Sequence, residues 1–174
     1  VRPTTMGALT FVALALIGAG LAWCVARMTQ AEVPLGTPGP TALVLLVMAA
    51  LALSAVAMVD GQHPFAITGL VLAAAVAGFF PWTWITGAPL PAALLAPAGA
   101  ILFALGWGIV DGSLAALPGV GLAALGLFAD GTARRVPLPK ARISAILYPA
   151  LVGGIALLPL ALAVAVTLAL RQPG

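Results

Sequence analysis

Six apolar runs, at 7–26, 41–59, 65–85, 91–110, 112–129 and 143–170, contain no charged residue and fill most of this 174-residue chain. Each is about 18 residues or longer, enough at 1.5 Å rise per residue to cross a hydrocarbon layer roughly 30 Å thick. Charged residues are 6% of the chain and apolar residues 63%, where a soluble domain carries roughly 25% charge. Water is therefore not the main solvent. Strands are excluded as spans, because a membrane strand alternates apolar and polar residues, whereas 42–50 reads ALVLLVMAA. The expected fold class is all-α, a polytopic transmembrane helix bundle forming a single domain over 1–174.

The fourth and fifth runs admit two arrangements. Asp111-Gly112-Ser113 between them has turn chemistry, and Pro97 and Pro118 each remove a backbone donor. They read either as two short spans, giving six in all, or as one span and a re-entrant half-helix, giving five. The near-spanning length of each run favours six. The last run exceeds the core thickness, and a kink at Pro149 or Pro159 is expected to accommodate it.

Orientation follows from the basic residues. Arg134, Arg135, Lys140 and Arg142, four of the seven in the chain, lie in 130–142, DGTARRVPLPKAR, and short basic loops stay cytoplasmic. Six spans then place five basic residues inside and two outside, and five spans give the same split, so charge alone does not separate the arrangements. The same four residues are the expected contact with anionic headgroups or a cytoplasmic partner. Trp23, Trp82, Trp84 and Trp107 fall near run ends, as interfacial anchors do. The 7–26 run is too long for a signal-peptide core and is expected to be retained as a span.

Chemistry-bearing residues are few. Membrane function commonly shows as an ionisable residue in mid-span, but Glu32, Asp60, Asp111 and Asp130 sit at run ends or in loops. His63 is the only histidine and Cys24 the only cysteine, which leaves no bis-histidine haem, no metal set and no redox pair. Neither a cofactor nor an enzymatic activity is expected. Asp130-Gly131-Thr132-Ala133-Arg134 is one residue short of the core motif of the CDP-alcohol phosphotransferases and lacks their further aspartates, so it reads as a turn leading into the basic loop. Hydroxyls at Thr10, Ser54, Thr68, Ser113 and Thr167 have no base beside them and are expected to bond their own helix backbone.

Small residues offer the remaining signal. Gly119, Gly121 and Ala124 loosely fit a dinucleotide fingerprint, but the motif lies inside an apolar run with no preceding strand. Together with Gly18/Ala22 and Gly108/Gly112 they read as helix-packing positions, where small side chains let backbones approach.

Arg2-Pro3-Thr4, the first span ending Ala22-Trp23, the Pro34 to Pro40 loop and the following ALVLLVMAALAL resemble the start of a family of small, uncharacterised actinobacterial integral membrane proteins. The resemblance covers at most the first third of the chain and implies a membrane location without an assigned activity. The Ala, Gly, Leu and Val bias points to a GC-rich bacterial genome, and hence to a bacterial cytoplasmic (inner) membrane. The expected role is an accessory, assembly or scaffold subunit that binds other membrane subunits and no nucleic acid. The alternative is a small-solute transporter or a transporter's membrane-embedded substrate-binding subunit, suggested by the broken fourth and fifth runs.

One prediction follows from the charge distribution. With Cys24 replaced, a cysteine at Thr132 should resist a membrane-impermeant maleimide added to intact cells and react once the membrane is opened. Efficient labelling of intact cells would reverse the orientation.

Overall fold

The computed structural model describes residues 40–86, 92–136 and 142–171, and among these every regular element is helical. Helix α1 is Pro40–Val59, α2 is His63–Ala77, α3 is Phe80–Thr86 and α4 is Ala92–Gly112. A 3-10 turn, Leu114–Ala116, leads into α5, Leu117–Leu125; a second, Gly126–Phe128, leads into α6, Ala129–Ala133; and α7 is Arg142–Arg171. Five stretches are long and apolar enough to cross a membrane: Thr41–Val59, His63–Thr83, Leu94–Gly112, Leu114–Ala133 and Leu147–Arg171. They correspond to the second through sixth runs. The first run, with Gly18, Ala22 and Trp23, lies outside the described residues.

By length and composition both the fourth and the fifth run could cross a membrane. Pro97 sits inside a continuous α4, and 3-10 turn, α5, 3-10 turn and α6 together make a 20-residue stretch of spanning length. Helix α4 also continues through Gly112, so Asp111 lies in its last turn and not in the expected turn. The third run is broken where continuity was expected: α2 ends at Ala77 and α3 begins at Phe80. Pro81 explains the break, since its ring would strike the carbonyl of Ala77 four residues back. Helix α7 runs unbroken over 30 residues with Pro149 and Pro159 inside it.

The link from α1 to α2 is set by one glycine. Gln62 N–H donates to Ala57 O at 2.8 Å and Gly61 N–H to Met58 O at 3.1 Å, the paired bonds of a Schellman helix end. Gly61 adopts φ +81°, the only positive φ among the described residues, which a residue with a Cβ would take at a cost. Pro64 then occupies the first turn of α2, where its missing N–H is not needed. Asp60-Gly61 and His63-Pro64 are thus turn chemistry, as their sequence suggests.

Helix α1 is the axis of the bundle. Of its spanning window 61% is buried, against 22% to 39% for the other four, and α2, α4, α5 and α7 all pack on it. The main core joins Leu43, Leu46, Leu53 and Val56 of α1 to Leu102, Leu105 and Ile109 of α4 and to Ala163 of α7. A second cluster joins Leu45 of α1 to Ala129, Ala133, Tyr148, Val152 and Ala156.

What α2 buries is small, and so is most of what α7 buries beyond Tyr148. The buried residues of α2 are Ala66, Gly69, Ala73 and Val76, a single helical face, while Ile67, Leu70 and Val71 are exposed. Helix α7 likewise buries Val152, Ala156 and Ala163 and exposes Leu157, Leu158 and Leu162. In water this would be inverted, because the large apolar side chains would move inside. In lipid nothing drives them inward, and small residues are spent on close helix contact.

The glycines divide on this criterion. A Cβ on Gly69 would lie 2.9 Å from the Ser54 Cβ; one on Gly108 would lie 2.6 Å from the Phe65 ring; one on Gly112 would lie 2.8 Å from Gln62 Oε1. A Cβ on Gly119 would overlap the Thr167 hydroxyl and crowd Val56 at 3.2 Å. Gly121 differs from the packing expectation: a Cβ there would meet nothing within 4 Å, because its side of α5 faces outward.

Gly108→Val and Gly119→Val are therefore expected to destabilise the bundle by about 1–3 kcal/mol each, the usual range for overpacking, while Gly121→Val leaves it unchanged. Thermal unfolding in mild detergent measures all three. Equal sensitivity at Gly119 and Gly121 would contradict the packing just described.

Candidate functional site

Polar groups collect at the two ends of the bundle, and an apolar cleft lies between α4 and α5. At one end, Asp130 is buried, 5% exposed, in the short α6. The Tyr148 hydroxyl of α7 donates to Asp130 Oδ1 at 2.8 Å, and Arg134 Nε donates to Oδ2 at 2.9 Å. Tyr148 is itself buried and the Arg134 side chain is 38% exposed. This corrects the reading of Asp130 as a turn residue at the membrane edge. Both carboxylate oxygens have donors, one on its own helix end and one on α7, so the group is a clamp between α6 and α7.

The basic segment is changed by that clamp. Arg134 spends its guanidinium on Asp130, whereas Arg135 is exposed. Lys140 lies outside the described residues, as does the side chain of Arg142, which begins α7.

At the opposite end, Gln62 ties the α1–α2 link to α4. Its Nε2 donates to Asp60 Oδ2 at 2.6 Å and to the Ile109 carbonyl at 2.9 Å, and Ser113 Oγ donates to Asp60 Oδ1 at 3.2 Å. Turning the amide over would set its oxygen against two acceptors, so the orientation is fixed by its partners. Gln62 Oε1, packed over Gly112, is left without a hydrogen bond. The Arg171 guanidinium lies over Gly61 in the same region. His63 and Asp111 are exposed there.

The hydroxyls split. Thr68 and Thr167 bond carbonyls four residues back in their own helices, as expected. Ser54 instead donates across helices to Ala66 O at 2.6 Å, and Ser113 to Asp60. Neither could be told from the sequence, because the tertiary acceptor is 12 residues away in one case and 53 in the other.

The cleft has a volume of about 280 Å³ and is lined on α1 by Ala49 and Leu53, on α4 by residues including Gly106 and Trp107, and on α5 by residues including Val120 and Ala124. Every described lining residue is apolar. It exists because α4 and α5 both pack on α1 but touch each other little. Trp107, expected as an interfacial anchor, lines it; Trp82 is 66% exposed on α3, and the side chain of Trp84 is outside what is described. Among the described residues, no three His, Cys, Asp or Glu side chains group closely enough to hold a metal.

No protein-family model matches the chain, and no curated protein or solved structure matches it.

The clamp gives a test of its own. Tyr148→Phe should cost about 1–2 kcal/mol, the range for a hydrogen bond to a charged group, and should cost almost nothing in an Asp130→Ala background. Unfolding of the two single variants and the double variant in detergent measures the coupling. Simple additivity would mean that the bond contributes nothing to stability.

Proposed function

We propose that this protein is a six-span component of the bacterial cytoplasmic membrane, acting as an accessory, assembly or scaffold subunit of a larger complex without chemistry of its own. The observation that carries the reading is the position of charge. Every ionisable side chain described apart from Tyr148 lies at one end of the bundle or the other, and Tyr148 is engaged with Asp130. The middle of the bundle holds apolar side chains and hydroxyls bonded to helix backbone. A proton or ion path would need an ionisable group facing the interior near mid-span.

Further support comes from the outer surface. Exposed Ile67, Val71, Leu158 and Leu162 suit lipid or the apolar face of another membrane subunit. The sixth span is the 7–26 run, and the basic segment, with Arg135, Lys140 and Arg142, faces the cytoplasm and its anionic headgroups. The transporter alternative draws less support, since the cleft between α4 and α5 has no polar group among its described lining residues with which to hold a hydrophilic solute.

Mild detergent extraction followed by identification of co-purifying chains tests the proposal. A larger complex should be recovered, and Asp60→Asn, His63→Gln and Asp111→Asn should each leave it intact. Solute uptake by the purified chain alone in vesicles, abolished by Asp111→Asn with expression preserved, would overturn it in favour of transport.

A further inference from the structure

We propose that the cleft between α4 and α5 is a seat for one acyl chain of a phospholipid with a primary ammonium headgroup, of the phosphatidylethanolamine kind, whose ammonium meets Asp111. The proposal rests on the helices being membrane spans and is independent of the accessory role.

Length and lining fit a lipid tail. Along α4 the cleft runs from Gly99 to Val110, about 16 Å of helix rise, close to one leaflet of a hydrocarbon core roughly 30 Å thick. Its other wall runs from Leu117 of α5 to Leu127 of the 3-10 turn that follows. Among the described residues only apolar side chains line it, and Trp107, Leu117 and Ala124 along it are exposed.

Charge selects the headgroup. Val110 forms the end of the cleft, and the next residue, Asp111, is exposed in the last turn of α4. A helix C-terminus is the negative end of the helix dipole, so a carboxylate there is poorly placed unless a cation joins it. Helix α4 has no basic residue in that turn, and among the described residues Asp111 makes no hydrogen bond or ion pair. An ammonium arriving with its tail in the cleft supplies the missing positive charge. Arg171, over Gly61 on the same end of the bundle, offers a positive charge for the lipid phosphate. An anionic headgroup without an amine would instead bring a further negative charge to Asp111.

The test uses the full chain reconstituted in vesicles of equimolar phosphatidylethanolamine and phosphatidylglycerol, re-extracted in mild detergent, with bound phospholipid per chain measured by mass spectrometry. The native protein should retain about one phosphatidylethanolamine, at a preference up to about fivefold, the upper range for one exposed ion pair. Asp111→Asn should keep the bound lipid and lose the preference. Ala124→Phe, which fills the cleft from an exposed position without removing a buried contact, should lose the lipid with unchanged thermal stability. Leu158→Phe, on the outer face of α7, should do neither. No retained lipid, or a preference for phosphatidylglycerol, would overturn the proposal. So would a disulfide formed in the native membrane between an introduced Leu127→Cys and either Cys24 of the same chain or a second copy, since a protein segment would then fill the space.

Discussion

The bundle depends on how closely its outer helices can approach α1. No hydrophobic drive exists between helices in lipid, so contact energy comes from dispersion and from hydrogen bonds, both of which demand short separations. Gly69 lies against Ser54 and the Ala50 carbonyl, Gly119 against Val56, and Gly153 against Val44. These are the points at which α2, α5 and α7 meet α1. The Ser54 bond to Ala66 O forms only because Gly69 lets α2 come that near. Enlarging any of these residues would separate backbones along a whole helix, since the neighbouring contacts share the same spacing.

The same condition explains why the polar residues sit where they do. A polar group at mid-depth has to find a partner inside its own bundle, which the hydroxyls do with backbone carbonyls. Charged groups stay at the ends. There they serve as fasteners: Asp130 links α6 to Tyr148 of α7, and Asp60 links the α1–α2 connection to Ser113 and, through Gln62, to the end of α4. These fasteners hold the short, broken elements, whose own helical hydrogen bonding is least continuous.

The cleft is a consequence of the α4 and α5 geometry. Helix α5 is bracketed by 3-10 turns, and its buried Gly119 is turned toward Val56 of α1 and Thr167 of α7. That leaves Val120, Ala123 and Ala124 along the cleft. A chain that packs α5 tightly on two neighbours has little surface left for the third, and a groove of tail-like dimensions results.

Sequence alone determined the solvent, the helical class and the approximate bounds of the described spans, because burial in lipid requires long uncharged runs whose backbone bonds close within the helix. It also located the Gly61 turn, whose residue types allow little else. It did not reveal that Pro81 splits the third run, that Asp111 stays helical, or that Gly121 faces open space while Gly119 does not. Small residues at helical spacing mark a face that can pack, and only the placement of neighbouring helices chooses which face does. Asp130 and Arg134 read as a turn and a headgroup contact, and the buried clamp that joins them needed Tyr148, 18 residues on. Tertiary structure decided these points because each is a contact between segments distant in the chain, and the apolar sequences that join them carry no pattern fixing their rotation about α1.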